Sequence, residues 1–169
     1  MKFDIPFNVL DSELGEYPPF LISLSDGPDE ELRLVIAASE ICSSGDSSDC
    51  FSSDENHISA ELGRLFEKSC SAVPKNSCMY MICFHDYIIY QIRNESFCSS
   101  DPCEVRQGRY LILFEESGLL SLLPVITDAQ QLSDGTYYPG KWKHYGVYTQ
   151  RHIIDIVSHK APQITRYDS

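Results

Sequence analysis

Seven cysteines and five histidines are the first residues in this 169-residue chain that could do chemistry. Structural zinc sites favour paired ligands, such as two cysteines two residues apart with a second pair at a set distance. No such pair occurs. The spacings nearest to that pattern are Cys98 with Cys103 and Cys78 with Cys83, with Cys50 and His57 as a wider mixed pair, so no metal and no cofactor is expected. An odd cysteine count with irregular spacing also argues against a full set of disulfides and for reduced thiols. Cys78 and Cys83 lie in apolar surroundings and read as small core residues, whereas Cys42, Cys50, Cys98 and Cys103 lie among serines and acids. His85-Asp86 and Glu115-Glu116 invite acid/base roles, but neighbours on a strand point to opposite faces and do not converge on one substrate atom. Glycine-rich phosphate loops and nucleophile-elbow motifs do not occur. No catalytic residue is assigned.

Charge is the strongest signal. Between Asp11 and Glu61 there are thirteen acids and one base, Arg33, a balance of −12; the remainder of the chain carries twelve of each and sums to zero. The stretch Ser43 to His57, SSGDSSDCFSSDENH, contributes Asp46, Asp49, Asp54 and Glu55 without a single Lys or Arg. A second cluster, Asp29, Glu30 and Glu31, follows the turn residues Gly27-Pro28. Phosphate binding requires clustered cations, so nucleic acid is not an expected ligand. A cationic partner steered by complementary charge is. These seven acids are the candidate partner-binding residues.

The elements that must position these groups follow from hydropathy patterning. FLISLS and LRLVIAA alternate around the DGP turn and predict a β-hairpin, with a helix beginning at Pro28 as the rival. Ile58, Leu62, Leu65 and Phe66 lie at helical spacing and predict a short amphipathic helix, and Pro74 should end what precedes it. CMYMICFHDYIIYQIRN and RYLILFEES read as central strands. GLLSLLPVIT reads as a helical segment capped by Ser117 and interrupted at Pro124; DGTYYPGKW reads as a loop. HYGVYTQ and RHIIDIVSH predict a terminal hairpin. The expected fold is α+β, mainly antiparallel β-sheet with two or three short helices, in a single domain over 1–169, with an acidic first third at 11–61 and a β-rich core at 78–160. The amino terminus lacks the apolar run of a secretory signal, and no apolar window reaches the roughly 18 residues of a membrane span, so a cytoplasmic protein that does not enter a membrane is expected.

Two resemblances follow from particular residues. HYGVYTQRHIIDIVSH resembles a stretch in papain-like cell-wall endopeptidases and in the lecithin:retinol acyltransferase family. That likeness implies a hydrolase or acyltransferase with Cys50 as nucleophile, His144 as general base and His152 or Asp155 as orienting group. The acids Asp46, Asp49, Asp54 and Glu55 around Cys50 oppose a reactive thiolate. The same region, with His144, Tyr145, Val147, Tyr148 and Thr149, then Ile153, Ile154, Asp155, Ile156 and Pro162, also resembles the carboxy-terminal portion of small bacterial immunity proteins. These are encoded beside contact-dependent inhibition and Rhs-type toxins. This second likeness implies a non-covalent inhibitor of a cognate toxin domain with a cationic surface. It agrees with the local acidity and is the leading expectation.

Overall fold

A computed structural model describes residues 5–42, 71–99 and 101–167. The acids Asp46, Asp49, Asp54 and Glu55, the thiol of Cys50 and the amphipathic segment around Ile58 to Phe66 all lie outside the described residues.

The chain is an α+β domain dominated by antiparallel sheet. Helix α1 (Phe7–Glu13) precedes strands β1 (Phe20–Asp26), β2 (Glu31–Cys42), β3 (Ser71–His85), β4 (Tyr87–Asn94), β5 (Val105–Gln107) and β6 (Leu111–Glu116). Helix α2 (Gly118–Ile126), strands β7 (Gln130–Gln131), β8 (Tyr137–Tyr138), β9 (Lys143–Tyr148), β10 (His152–Ser158) and β11 (Gln163–Tyr167) follow. A four-stranded sheet runs β1-β2-β3-β11 and a five-stranded sheet runs β4-β10-β9-β6-β5. The single residue Asp86, at φ 55°, turns the chain from the first sheet into the second. What reads as one apolar run is therefore two strands in different sheets.

The β1–β2 hairpin forms as its alternation requires, so the rival helix from Pro28 does not. Leu32, Leu34 and Ile36 from β2 and Tyr80, Ile82 and Phe84 from β3 face Leu111, Tyr145, Val147, Ile154 and Ile156 of the second sheet, and Leu10 and Leu14 close one end of this main core. The period-two pattern thereby leaves Glu31 and Arg33 of β2, and Cys83 and His85 of β3, on the opposite face of the first sheet.

The far face of the second sheet is covered separately. Leu123 of α2 packs with Ala129 and Val157, joined by Ile88, Ile89, Leu119, Leu120 and Trp142. This second layer explains why β10 is apolar on both sides: Ile154 and Ile156 enter the main core while Val157 enters the smaller one. Ser117 caps α2 as its sequence predicts, its hydroxyl accepting from the Leu120 N–H at 3.2 Å, but Pro124 sits within the last helical turn instead of ending the helix. Pro74 likewise lies inside β3, beside the register shift between Ala37 and Ser39, a place where a strand tolerates the missing donor. No helix among the described residues is long and apolar enough to cross a membrane.

Candidate functional site

The described part of the acidic segment divides into acids that hold the fold and acids that do not. Asp11 on α1 accepts three backbone N–H groups, from Arg109 at 2.8 Å and from Tyr110 and Leu111 at 2.7 Å each, and so fastens the start of β6 to the helix. Glu13 accepts from the Tyr80 hydroxyl at 3.1 Å, and Asp26 from the Tyr87 hydroxyl at 2.8 Å. Asp29 and Glu30 occupy the exposed tip of the β1–β2 hairpin, with Glu30 at φ 53°, and no ion pair among the described residues reaches either. The carbonyl of Glu30 accepts from the N–H of Asp86, bringing the β3–β4 turn against the tip, and Lys160 there is paired with Asp86.

Glu31, counted with these two from its charge, behaves differently. It is 17% exposed at its side chain, with Oε2 at 2.5 Å from Arg33 and Oε1 at 2.8 Å from the Cys83 sulfur. Cys83 Sγ also lies 3.5 Å from His85 Nε2, which is 4.0 Å from Glu31 Oε1. Carboxylate, thiol and imidazole thus meet within 4.8 Å of one another. The Arg33 hydrogen bond, followed by that from Cys83, holds the Glu31 carboxyl down at about 2. Burial, then the neighbouring carboxylate, pushes the Cys83 thiol up to about 12. Cys83 is therefore a buried thiol with polar partners, where its apolar neighbours in sequence read as plain core. Cysteine and histidine two apart on a strand share a face, so the pair was visible in the sequence. Glu31 was not, because only the register of β2 on β3 sets it opposite His85.

A second constellation lies under α2. The register of β9 on β10 sets Val157 opposite His144 and Gly146 opposite Asp155. His144, 2% exposed, is bonded through both ring nitrogens: Nε2 lies 3.1 Å from Asp155 Oδ1 and Nδ1 lies 2.8 Å from Ser117 Oγ. A carboxylate only accepts, so Nε2–H donates to Asp155, while Nδ1 and the Ser117 hydroxyl share the second hydrogen bond. The Phe114 ring stacks on the imidazole at 4.1 Å. Asp155, fully buried, also accepts from Arg93 Nε at 2.9 Å and Gln91 Nε2 at 3.1 Å, and its Oδ2 is ion-paired with Arg93 Nη2 at 2.8 Å. Burial pushes the Asp155 carboxyl up, but the His144 hydrogen bond, the Arg93 charge and the Gln91 hydrogen bond together outweigh it and hold it below the usual range. Gly146 leaves room for this stack, since a Cβ there would come within 2.9 Å of the Phe114 ring.

The structure thus joins His144 to Asp155, as the papain-like resemblance would require, while His152 lies exposed at the start of β10. Ser117, His144 and Asp155 are bonded in series, but the serine sits on Nδ1 and the carboxylate on Nε2, the reverse of the hydrolase triad, and the serine oxygen is committed to capping a helix. With both nitrogens of a buried ring taken, His144 offers no face to a thiolate. The series is a strut joining α2 to the second sheet. None of its three residues lines the cleft of about 360 Å³ that Arg93, Arg106 and Arg109 form with Glu95 and Glu104. Arg93 is spent on Asp155, and Arg109 on the carbonyls of Gly15 and Glu16. His85 and Asp86, expected as separate strand-end polar residues, do diverge: one faces Cys83 and the other Lys160.

The chain matches no family model, no curated protein and no solved structure.

Proposed function

We propose that this protein is an immunity protein, a stoichiometric inhibitor that binds a cognate bacterial toxin domain in the cytosol through its acidic end. The observation that carries the reading is the confinement of the whole net charge of −12 to residues 11–61, of which Asp29 and Glu30 project from the tip of a hairpin. Acids bonded within the fold, such as Asp11 and Glu31, are not part of the docking set; Asp29 and Glu30 are, together with Asp46, Asp49, Asp54 and Glu55. A surface of one sign raises the encounter rate with a cationic partner and suppresses wrong ones. Supporting it, the hairpin is held by a twelve-residue strand paired along its length, so its tip is presented on a rigid support.

Cloning the chain with the variable carboxy-terminal domain of the large secreted protein expected beside it in the genome should rescue growth. Reversing Asp29 and Glu30 to Lys, alone and with the four loop acids, should leave folding intact, slow association and flatten its dependence on salt. Association at the wild-type rate and salt dependence after all six reversals would remove the acidic end as the docking surface. Failure of any neighbouring toxin domain to be neutralised would remove the function.

A further inference from the structure

We propose that Glu31, Cys83 and His85 form a zinc site on the outer face of the first sheet, with carboxylate, thiolate and imidazole as three protein ligands and a fourth position open to water. The inference stands apart from the inhibitor reading and does not depend on it.

The backbone assembles the donors. Cys83 and His85 are two apart on β3 and so share a face, and antiparallel pairing sets Glu31 opposite His85 and Arg33 opposite Cys83. Tetrahedral zinc, with sulfur at about 2.3 Å and nitrogen at about 2.0–2.1 Å, places those two atoms roughly 3.5 Å apart. Cys83 Sγ and His85 Nε2 are 3.5 Å apart. The same geometry asks for oxygen at roughly 3.5 Å from sulfur and roughly 3.3 Å from nitrogen. Glu31 Oε1 lies at 2.8 Å and 4.0 Å, so a swing of the carboxylate of less than one ångström, away from sulfur and toward the ring, completes the set.

The donor types choose the metal. Thiolate with imidazole is too soft a pair for magnesium or calcium and suits zinc, with one carboxylate tolerated beside them. On binding, the Cys83 thiol releases its proton to solvent as the sulfur–zinc bond forms, and His85 binds as the neutral ring through Nε2. One thiolate and one carboxylate then neutralise the dication. Arg33 keeps the second oxygen of Glu31 hydrogen-bonded, which leaves Oε1 to face the metal, the kind of outer contact that orients ligating carboxylates. His85 is 42% exposed, so the site has a path from solvent.

The test is titration of reduced, chelator-treated full-length protein with zinc, and separately with cobalt(II) as a spectroscopic stand-in. One zinc per chain is expected, with a thiolate-to-cobalt charge-transfer band in the near ultraviolet and a melting temperature that rises with zinc. His85→Gln, at a half-exposed position where folding is not at stake, should weaken zinc binding by at least the roughly 10–100-fold that outer partners alone cost, and should abolish the thermal shift. Cys83→Ser should remove the cobalt band, while Cys98→Ser with Cys103→Ser should leave it. A wild-type chain that takes up no zinc, or His85→Gln and Cys83→Ser variants that bind it as the wild type does, would overturn the site.

Discussion

Asp155→Ala should be among the most damaging single changes in this protein. The carboxylate is fully buried, accepts three hydrogen bonds, from His144, Gln91 and Arg93 Nε, and is ion-paired with Arg93 Nη2. Removing one member of a buried ion pair costs about 3–5 kcal/mol, because its partners remain desolvated without compensation. Arg93 is 39% exposed and can turn to water, so the lower half of that range applies, about 3–4 kcal/mol. Much of that cost falls on His144 Nε2, since a buried polar group left unpaired costs about 1–3 kcal/mol, whereas the exposed Gln91 can turn to water. Against a typical total stability of about 5–15 kcal/mol the loss is large. In a domain of this size it lowers the melting temperature by roughly 6–16 °C, at about 2–4 °C per kcal/mol. Chemical denaturation of wild type, Asp155→Ala, His144→Gln and the double variant measures both the loss and the coupling. Because the two groups share one network, the double variant should be less damaged than the sum of the singles, by about 0.5–3 kcal/mol. The pH dependence has a definite sign. The folded-state Asp155 carboxyl titrates below its unfolded value, so its contribution is complete above the unfolded pKa of about 3.9 and is lost as the pH falls through the lower folded value. Asp155→Ala should therefore flatten the acid limb of the stability curve. A loss below about 1 kcal/mol, or single effects that simply add, would refute a connected buried network.

Two further changes test the elements around that network. Ser117→Ala removes the cap of α2 and the partner of His144 Nδ1 at once, and should cost about 1–2 kcal/mol by denaturation, with Ser117→Thr restoring part of it. Gly108→Ala should cost about 3 kcal/mol or more in the same assay: its φ is +104°, and a Cβ there would lie 2.2 Å from the backbone oxygen of Leu111, which cannot move without disturbing β6. By contrast, Asp29→Lys with Glu30→Lys should leave stability within about 0.5 kcal/mol, since both side chains are exposed and outside any described ion pair.

Several elements were legible in the sequence because their signals are local. The β1–β2 hairpin follows from alternation interrupted by turn residues, β9–β10 from two largely apolar runs around a polar break, and α2 with its Ser117 cap from an apolar run behind a hydroxyl residue. Helix α1 and strand β11 were missed: the first is seven residues holding Asp11 and Ser12 among its apolar positions, the second a five-residue edge strand with Arg166 and Thr165. Neither signals its state until docked on the rest. The charge asymmetry was equally plain, but which acids it leaves available was not. Asp11 and Glu31 look like Asp29 and Glu30 in sequence and differ only in what folding sets beside them.

Composition and periodicity, acting over neighbouring residues, were enough to determine an antiparallel α+β domain and to place the excess negative charge in its first third. Tertiary structure decided what the polar residues do. Cys83 and His85 are two apart, yet Glu31 lies 52 residues from Cys83 and joins them only through the β2–β3 register; Ser117, His144 and Asp155 come together from a helix cap and two strands. Side-chain spacing along a chain fixes which face a group takes, whereas its partners, and with them its chemistry, are set by the pairing of strands distant in sequence.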